Sequence, residues 1–186
     1  MIEIRIHGRG GQGAFTASNL LASALFKEGR YAQAFPSFNA ERRGVPTAAF
    51  VRIDDSIIRL RCEVYTPDHI IVLDPTLFTM VDVTHGLKEN GWIIINSDKR
   101  PNDFSSLSKR FKVATVDANS IAIKYHLGSH TAPIVNTAIL GAFSRITGIV
   151  GIDAVLEVVE ESIPTKRGEN VAAAKETYEK VSIAEG

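Results

Sequence analysis

The chain has 186 residues, 45% of them hydrophobic and 23% charged, enough apolar material for a sizeable core in one domain. Its 21 Lys and Arg balance its 21 Asp and Glu, so the basic excess of a general nucleic-acid binder is missing. The single cysteine, Cys62, excludes an internal disulfide framework and cannot supply the four thiolates of an iron–sulfur cluster.

Met1–His7 alternates like a strand from the first residues, with no apolar signal-peptide core before it. No membrane-length apolar run follows, so the cytoplasm is the expected compartment and no membrane partner is expected. Gly8–Gly13 is a glycine loop, and Thr16–Lys27 reads as a helix whose apolar face combines Phe15, Leu20, Leu21, Ala24 and Leu25, stopped at Gly29. Tyr31–Phe35 is a short strand ended by Pro36, and Ser37–Pro46 reads as an ordered polar surface loop. Thr47–Ile53 and Ile57–Val64 flank Asp54-Asp55-Ser56, which predicts a β-hairpin. Cys62 lies in this second strand, where a small, partly buried side chain is expected rather than a nucleophile.

His69–Leu73 is a continuous apolar run ended by Asp74, the pattern of a central buried strand. A helix is predicted over Thr76–Lys88, a buried strand over Trp92–Asn96, a last strand over Lys112–Val116 and a helix over Ala118–Tyr125. From Pro133 the period turns helical. Val135, Ile139, Ala142, Phe143 and Ile146 make one stripe, Ile152, Val155, Leu156 and Val159 a second, and Glu169–Val181 a more polar third helix. Without repeats or linkers, residues 1–186 read as one domain.

The loop His7-Gly8-Arg9-Gly10-Gly11-Gln12-Gly13 follows a strand and opens a helix, with Gly8, Gly10 and Gly13 spaced as G-x-G-x-x-G. Glycines permit positive φ and close approach, and amides at a helix start attract phosphate or carboxylate. A tight turn that only packs the first helix is the competing interpretation, and spacing alone leaves both open. A nicotinamide site expects an acid at the end of the second strand; here that strand ends Gln33-Ala34-Phe35-Pro36, and no acid comes before Glu41. A Walker loop is excluded, because no Gly-Lys-Ser/Thr follows.

Other chemistry-bearing residues have plainer readings. Asp74 suits a turn cap before Pro75, and Asn136 and Thr137 suit structural hydrogen bonds. The five histidines include no H-E-x-x-H pattern; His126 and His130 are separated by a helix-weakening Gly128, and His7 beside the loop fits either ligand orientation or strand-end packing. There is no Gly-x-Ser-x-Gly elbow for a serine hydrolase.

The string Gly8-Arg9-Gly10-Gly11-Gln12-Gly13, then Gln33-Ala34-Phe35-Pro36-Ser37-Phe38, then Glu41-Arg42-Arg43-Gly44-Val45-Pro46, resembles the gamma subunit of pyruvate:ferredoxin oxidoreductase. The resemblance continues through Pro67-Asp68, Ile71–Leu77, Gly91–Asn96 and Pro133 with Val135–Phe143, in family order over most of the chain. It implies a three-layer α/β/α, Rossmann-like fold with a mostly parallel sheet and one antiparallel hairpin. The implied reaction converts a 2-oxoacid, coenzyme A and oxidised ferredoxin into acyl-CoA, carbon dioxide and reduced ferredoxin. Thiamine diphosphate and the [4Fe-4S] clusters are then expected on partner subunits of alpha, beta and delta type, and a lone gamma chain should not turn over.

Under this resemblance the amides of Gly8, Gly10, Gly11 and Gly13, with Arg9 and Gln12, form one anionic site, and Arg42 and Arg43 offer planar forks to the phosphates of coenzyme A. Pairing of Arg42 or Arg43 with Glu41 or a neighbouring subunit stands beside this as an interface reading. Two other classes stay in view: a stand-alone nucleotide- or dinucleotide-binding module, and an assembly subunit that touches no ligand.

Overall fold

The computed structural model describes residues 1–37 and 42–184. Its centre is a seven-stranded sheet in the order β2-β3-β1-β4-β5-β6-β9. The strands are β1 (Ile2–Arg9), β2 (Tyr31–Pro36), β3 (Pro46–Asp54), β4 (His69–Val72), β5 (Trp92–Asn96), β6 (Lys112–Val116) and β9 (Ser182–Ile183). The run β1-β4-β5-β6 is parallel; β3 lies antiparallel between β1 and β2, and β9 antiparallel on β6. A separate two-residue hairpin joins β7 (Gly128–Ser129) and β8 (Ala132–Pro133).

One face of the sheet carries Ile4, Ile6, Val51, Ile53, Ile71 and Ile94, and helices bury it. They are α1 (Ala14–Lys27), α3 (Ala118–Lys124), α4 (Ala138–Thr147), α5 (Ile152–Ser162) and α6 (Arg167–Lys180). The three C-terminal helices form where the apolar spacing predicts them. Phe15 differs: it stays exposed while Leu20, Leu21, Ala24 and Leu25 turn inward. No helix among the described residues is long and apolar enough to cross a membrane.

The opposite face is covered by shorter pieces. Ile70, Val72, Ile93, Ile95 and Val113 pack with Leu77, Val83, Leu87 and Phe111. Here the predicted helix over Thr76–Lys88 gives way to a 3₁₀ turn at Pro75–Thr79, followed by further turns. Local hydrogen bonds outcompete the helix ladder: Asp74 caps Thr76, and the Asp82 carboxylate accepts from both the amide and the hydroxyl of Thr84. Among the described residues the α-helix on this face is α2 (Ser105–Ser108), preceded by a 3₁₀ turn at Pro101–Phe104.

The predicted hairpin also moves. Thr47–Ile53 is inside β3, but its antiparallel neighbours are β1 and β2, and Ile57–Val64 is not a strand. Carbonyls that a ladder would occupy serve two guanidinium groups instead: Glu63 accepts from Arg52 (3.2 Å) and Val64 from Arg5 (3.4 Å). Cys62 is accordingly exposed rather than partly buried. The short strands β7, β8 and β9 lie beyond the strand expected to be last; two residues carry no periodicity.

His7, on β1, lies on the same face of the sheet as Arg5. Its Nε2 accepts from the Arg5 Nε at 2.9 Å. Burial, reinforced by the Arg5 charge, pushes the imidazole down to about 3. A histidine depressed below its unfolded value of 6.5 gives stability that is complete above pH 6.5 and is lost as pH falls toward 3. Chemical-denaturation titrations between pH 6.5 and 4.5 should therefore show stability falling with a slope approaching about 1.4 kcal/mol per pH unit. Burial lowers His69 in the same direction, so His7→Gln, which keeps an acceptor for Arg5, is expected to lessen the slope rather than abolish it. An unchanged slope in that variant would remove His7 from the account.

Candidate functional site

Strand β1 runs out at Arg9 beside the end of β4, where the chain leaves in opposite directions: toward α1 on one side and toward the strap at 73–79 on the other. Crevices at the carboxyl ends of strands, at such a switch point, are where open α/β sheets hold ligands. Here the crevice is a cleft of about 450 Å³. One wall is the glycine loop with Arg43 and Gly44, the floor is Leu73–Pro75, and the far wall is Asn119 with the stretch 131–135.

The glycines are required by contact as much as by turn. Gly10 donates its amide to Val45 (2.9 Å) and accepts from Gly44 (2.9 Å), so the loop is bridged to the segment after Arg42. A Cβ on Gly10 would stand 2.1 Å from the Arg42 carbonyl oxygen. Gly13 has φ 78 and caps α1; a Cβ there would meet the Asn136 carboxamide nitrogen at 2.2 Å. Gly8 is buried at the strand end against Leu73, and Gly11 sits on the rim with φ 92.

Gln12 folds back rather than outward. Its Oε1 accepts from the Arg9 amide (2.7 Å) and its Nε2 approaches Asp74 (3.4 Å). The Arg9 fork is spread over the same knot. Nε meets the Asp74 carboxylate at 2.7 Å, Nη1 the Gly44 carbonyl at 3.0 Å, and Nη2 the Thr76 hydroxyl at 2.5 Å. Burial alone would raise the Asp74 carboxyl, but hydrogen bonds from Thr76 and Arg9 outweigh it and hold the group below the usual carboxylate range. Asp74 therefore caps the 3₁₀ turn and anchors Arg9, both at once.

The two later arginines separate. Arg43 is exposed on the cleft wall, with no carboxylate partner among the described residues. Arg42 is exposed too, and it is its carbonyl that contacts the loop. Glu41, weighed above as a partner for either, lies outside the described residues.

Sequence reasoning did not find the far wall. Asn119 enters from α3, and Asn96, 1% exposed at the end of β5, donates to it (3.0 Å) and to the Leu73 carbonyl (2.9 Å). Strand β8 and Ile134 add an apolar lip. The only available signal was an Asn closing β5 and another in the first turn of α3. Beyond the wall at Pro75 lies a wider groove of about 820 Å³, with Phe78, Phe104 and Leu107 among the carboxylates Asp82, Asp98 and Asp103.

Chemically, the cleft is built to hold rather than to react. Among the described residues its lining contains no Cys, Ser, His, Lys or Tyr, and the one carboxylate there is already engaged by Arg9 and Thr76. What it presents is loop backbone, one available guanidinium and an apolar lip, a set that suits an anionic, partly apolar ligand.

Comparison with known proteins identifies the family. The chain is 50% identical to the pyruvate/ketoisovalerate oxidoreductases common subunit gamma of Thermococcus kodakarensis, with all of both chains covered. It is also 50% identical to the pyruvate synthase subunit PorC of Methanothermobacter thermautotrophicus, over 97% of this chain and 96% of that one. The crystal structure of the pyruvate oxidoreductase subunit PORC of Thermotoga maritima superposes with a TM-score of 0.81 at 38% identity, covering 99% of this chain and 98% of that one. With the model of pyruvate ferredoxin/flavodoxin oxidoreductase matching residues 3–180, the chain belongs to that family.

Proposed function

We propose that this chain is the gamma-type subunit of a cytoplasmic 2-oxoacid:ferredoxin oxidoreductase of the pyruvate type, and that its glycine-loop cleft holds part of coenzyme A. Residues 1–186 act as one domain, with partner subunits of alpha, beta and delta type carrying the rest. The reaction forms acyl-CoA, carbon dioxide and reduced ferredoxin from a 2-oxoacid, coenzyme A and oxidised ferredoxin. Full-length identity to named gamma and PorC subunits supports the assignment.

The residues here do not fit an iron–sulfur cluster: one exposed thiol cannot replace four. Cluster and thiamine chemistry therefore belong to the partners, and this chain contributes donors and shape. The observation that carries the coenzyme A reading is Arg43, fixed beside Gly10 by the Gly10–Val45 and Gly44–Gly10 bonds and facing the cleft with no carboxylate partner among the described residues. Arg9 and Gln12 shape the loop; the backbone of Gly10 and Gly11 lines the docking path, with Gly8 and Gly13 setting the two ends of the loop; Arg42 sits outside the lining and serves the subunit interface.

Arg43→Ala in the assembled enzyme tests this. A lost charge-assisted phosphate contact is worth about 1.5–3 kcal/mol, so the KM for coenzyme A should rise roughly ten- to a hundredfold, with kcat and assembly retained. Arg42→Ala should instead weaken assembly and leave that KM alone. Lost assembly with an unchanged coenzyme A requirement for Arg43→Ala would favour the assembly role and defeat the ligand role.

A further inference from the structure

Strand β2 is the outermost strand of the sheet, and among the described residues no strand pairs with its other side. Edge strands are normally blunted by charge, bulge or cover. This one, Tyr31-Ala32-Gln33-Ala34-Phe35-Pro36, carries no charge. Its regular register with β3 runs from Tyr31↔Asp54 to Pro36↔Ala49 with no bulge.

Parity decides which backbone groups face outward. Ser37 donates to Ala48, in continuation of that register. Hydrogen-bonded pairs alternate along an antiparallel ladder, so Gln33 and Phe35 also bond inward and Ala32, Ala34 and Pro36 turn their backbone groups to solvent. Pro36 thus lacks a donor only on the open side, where proline is tolerated.

The sequence of the edge is close to a palindrome about Gln33: aromatic, Ala, Gln, Ala, aromatic. We infer that β2 is a homodimerisation edge, pairing antiparallel with β2 of a second copy of this chain about a two-fold axis at Gln33. In this register Ala32 and Ala34 of one copy exchange N–H···O=C bonds with Ala34 and Ala32 of the other. Tyr31 stands opposite Phe35 at each end, an aromatic cross-strand pair made twice, and no like charges meet. The interface is isologous, so it closes at two.

Two observations choose a second copy as the occupant. The edge is self-complementary about Gln33, so a copy of itself satisfies the outward donors and acceptors of Ala32 and Ala34 with no like charges opposed. Helix α1 packs over β2 and β3, yet it leaves Phe26 72% exposed. Paired edges place both α1 helices on the same side of the joined sheet, next to each other, which gives that face a neighbour.

Sedimentation of the full chain should give a dimer, and Ala34→Pro, which deletes an outward N–H without touching the β3 ladder, should give a monomer with an unchanged circular-dichroism melt. Gln33→Cys in a Cys62→Ser background provides a second readout, independent of that variant's folding. The residues meeting at the axis form a non-hydrogen-bonded pair with Cα atoms about 4.5 Å apart, close enough for a disulfide. Mild oxidation should link Gln33→Cys into a covalent dimer and leave Tyr31→Cys unlinked. A monomeric wild-type chain, a dimer that survives Ala34→Pro, or equal linking at position 31 would each overturn the inference.

Discussion

Gly10→Ala should lower kcat/KM for coenzyme A in the assembled enzyme by more than about tenfold while leaving the rest of the chain folded. The new methyl group would lie 2.1 Å from the Arg42 carbonyl oxygen and 2.8 Å from its carbon. Both obstacles are backbone, so no rotamer change relieves them. The loop has to part from the 42–45 segment, giving up the Gly10–Val45 and Gly44–Gly10 bonds. Overpacking of this kind costs about 1–3 kcal/mol and each lost hydrogen bond about 0.5–1.5 kcal/mol. That is enough to open a surface loop, and too remote from the main core to unfold the domain. Opening carries Arg43 off the cleft wall, which is why the loss should appear in coenzyme A kinetics. Gly168→Ala makes the control: a Cβ there meets nothing within 4 Å, so its kinetics should match wild type. Equal kinetics for Gly10→Ala would mean that the loop's closure onto Arg43 does not matter to turnover.

The elements that were legible in the sequence share one property: their burial pattern is repeated over several residues. β4 and β5 announce themselves as unbroken apolar runs because both of their faces are covered, and α4 and α5 because one stripe faces the sheet. The failures fall where backbone groups bond to side chains instead of to a ladder. Ile57–Val64 looks like a strand by composition, yet Arg5, 59 positions before Val64, and Arg52, 11 positions before Glu63, claim its carbonyls, and the alternation of the segment itself carries no mark of either bond. Segment 76–88 has helical spacing, but Asp74 and Asp82 each fold back on a following Thr.

The site divides in the same way. The glycine loop was visible because contact and turn both demand glycine, and those demands leave a mark in the chain itself. That Arg9 is committed to Asp74, and that Asn119 and Ile134 supply the opposite wall, depends on tertiary proximity alone. The absent acid after β2 also acquires a reason. β3 separates β2 from β1, so the end of β2 is not the neighbouring strand end that a dinucleotide ribose would need.

Arg52→Ala should destabilise the chain by about 3–5 kcal/mol, the range for breaking one side of a buried ion pair. Arg52 is 1% exposed and central to how the irregular layer is held. Its Nε pairs with the Glu3 carboxylate at 2.8 Å, its Nη2 reaches the Glu63 carbonyl and lies 3.6 Å from the Cys62 sulfur, and its guanidinium stacks 5.0 Å from the Phe35 ring centre. Truncation strands Glu3, itself mostly covered, without a counter-charge, and frees the segment at 57–63 from the sheet. For a chain of this size the loss corresponds to a drop in melting temperature of roughly 6–20 °C. The charge itself is not what stabilises, because burying both ions is costly. The pair replacement Arg52→Met with Glu3→Leu should therefore recover most of the loss, and a double-mutant cycle would show strong coupling. Arg52→Lys should fall between, since an ammonium cannot serve the carboxylate and the carbonyl in one fork. Limited trypsin digestion adds a local measure: Arg59 and Arg61 are exposed within the held segment, so cleavage there should accelerate in Arg52→Ala before the rest of the chain yields. A cost below about 1 kcal/mol, with cleavage at wild-type rate, would show that the segment is held by its apolar contacts and not by the buried guanidinium.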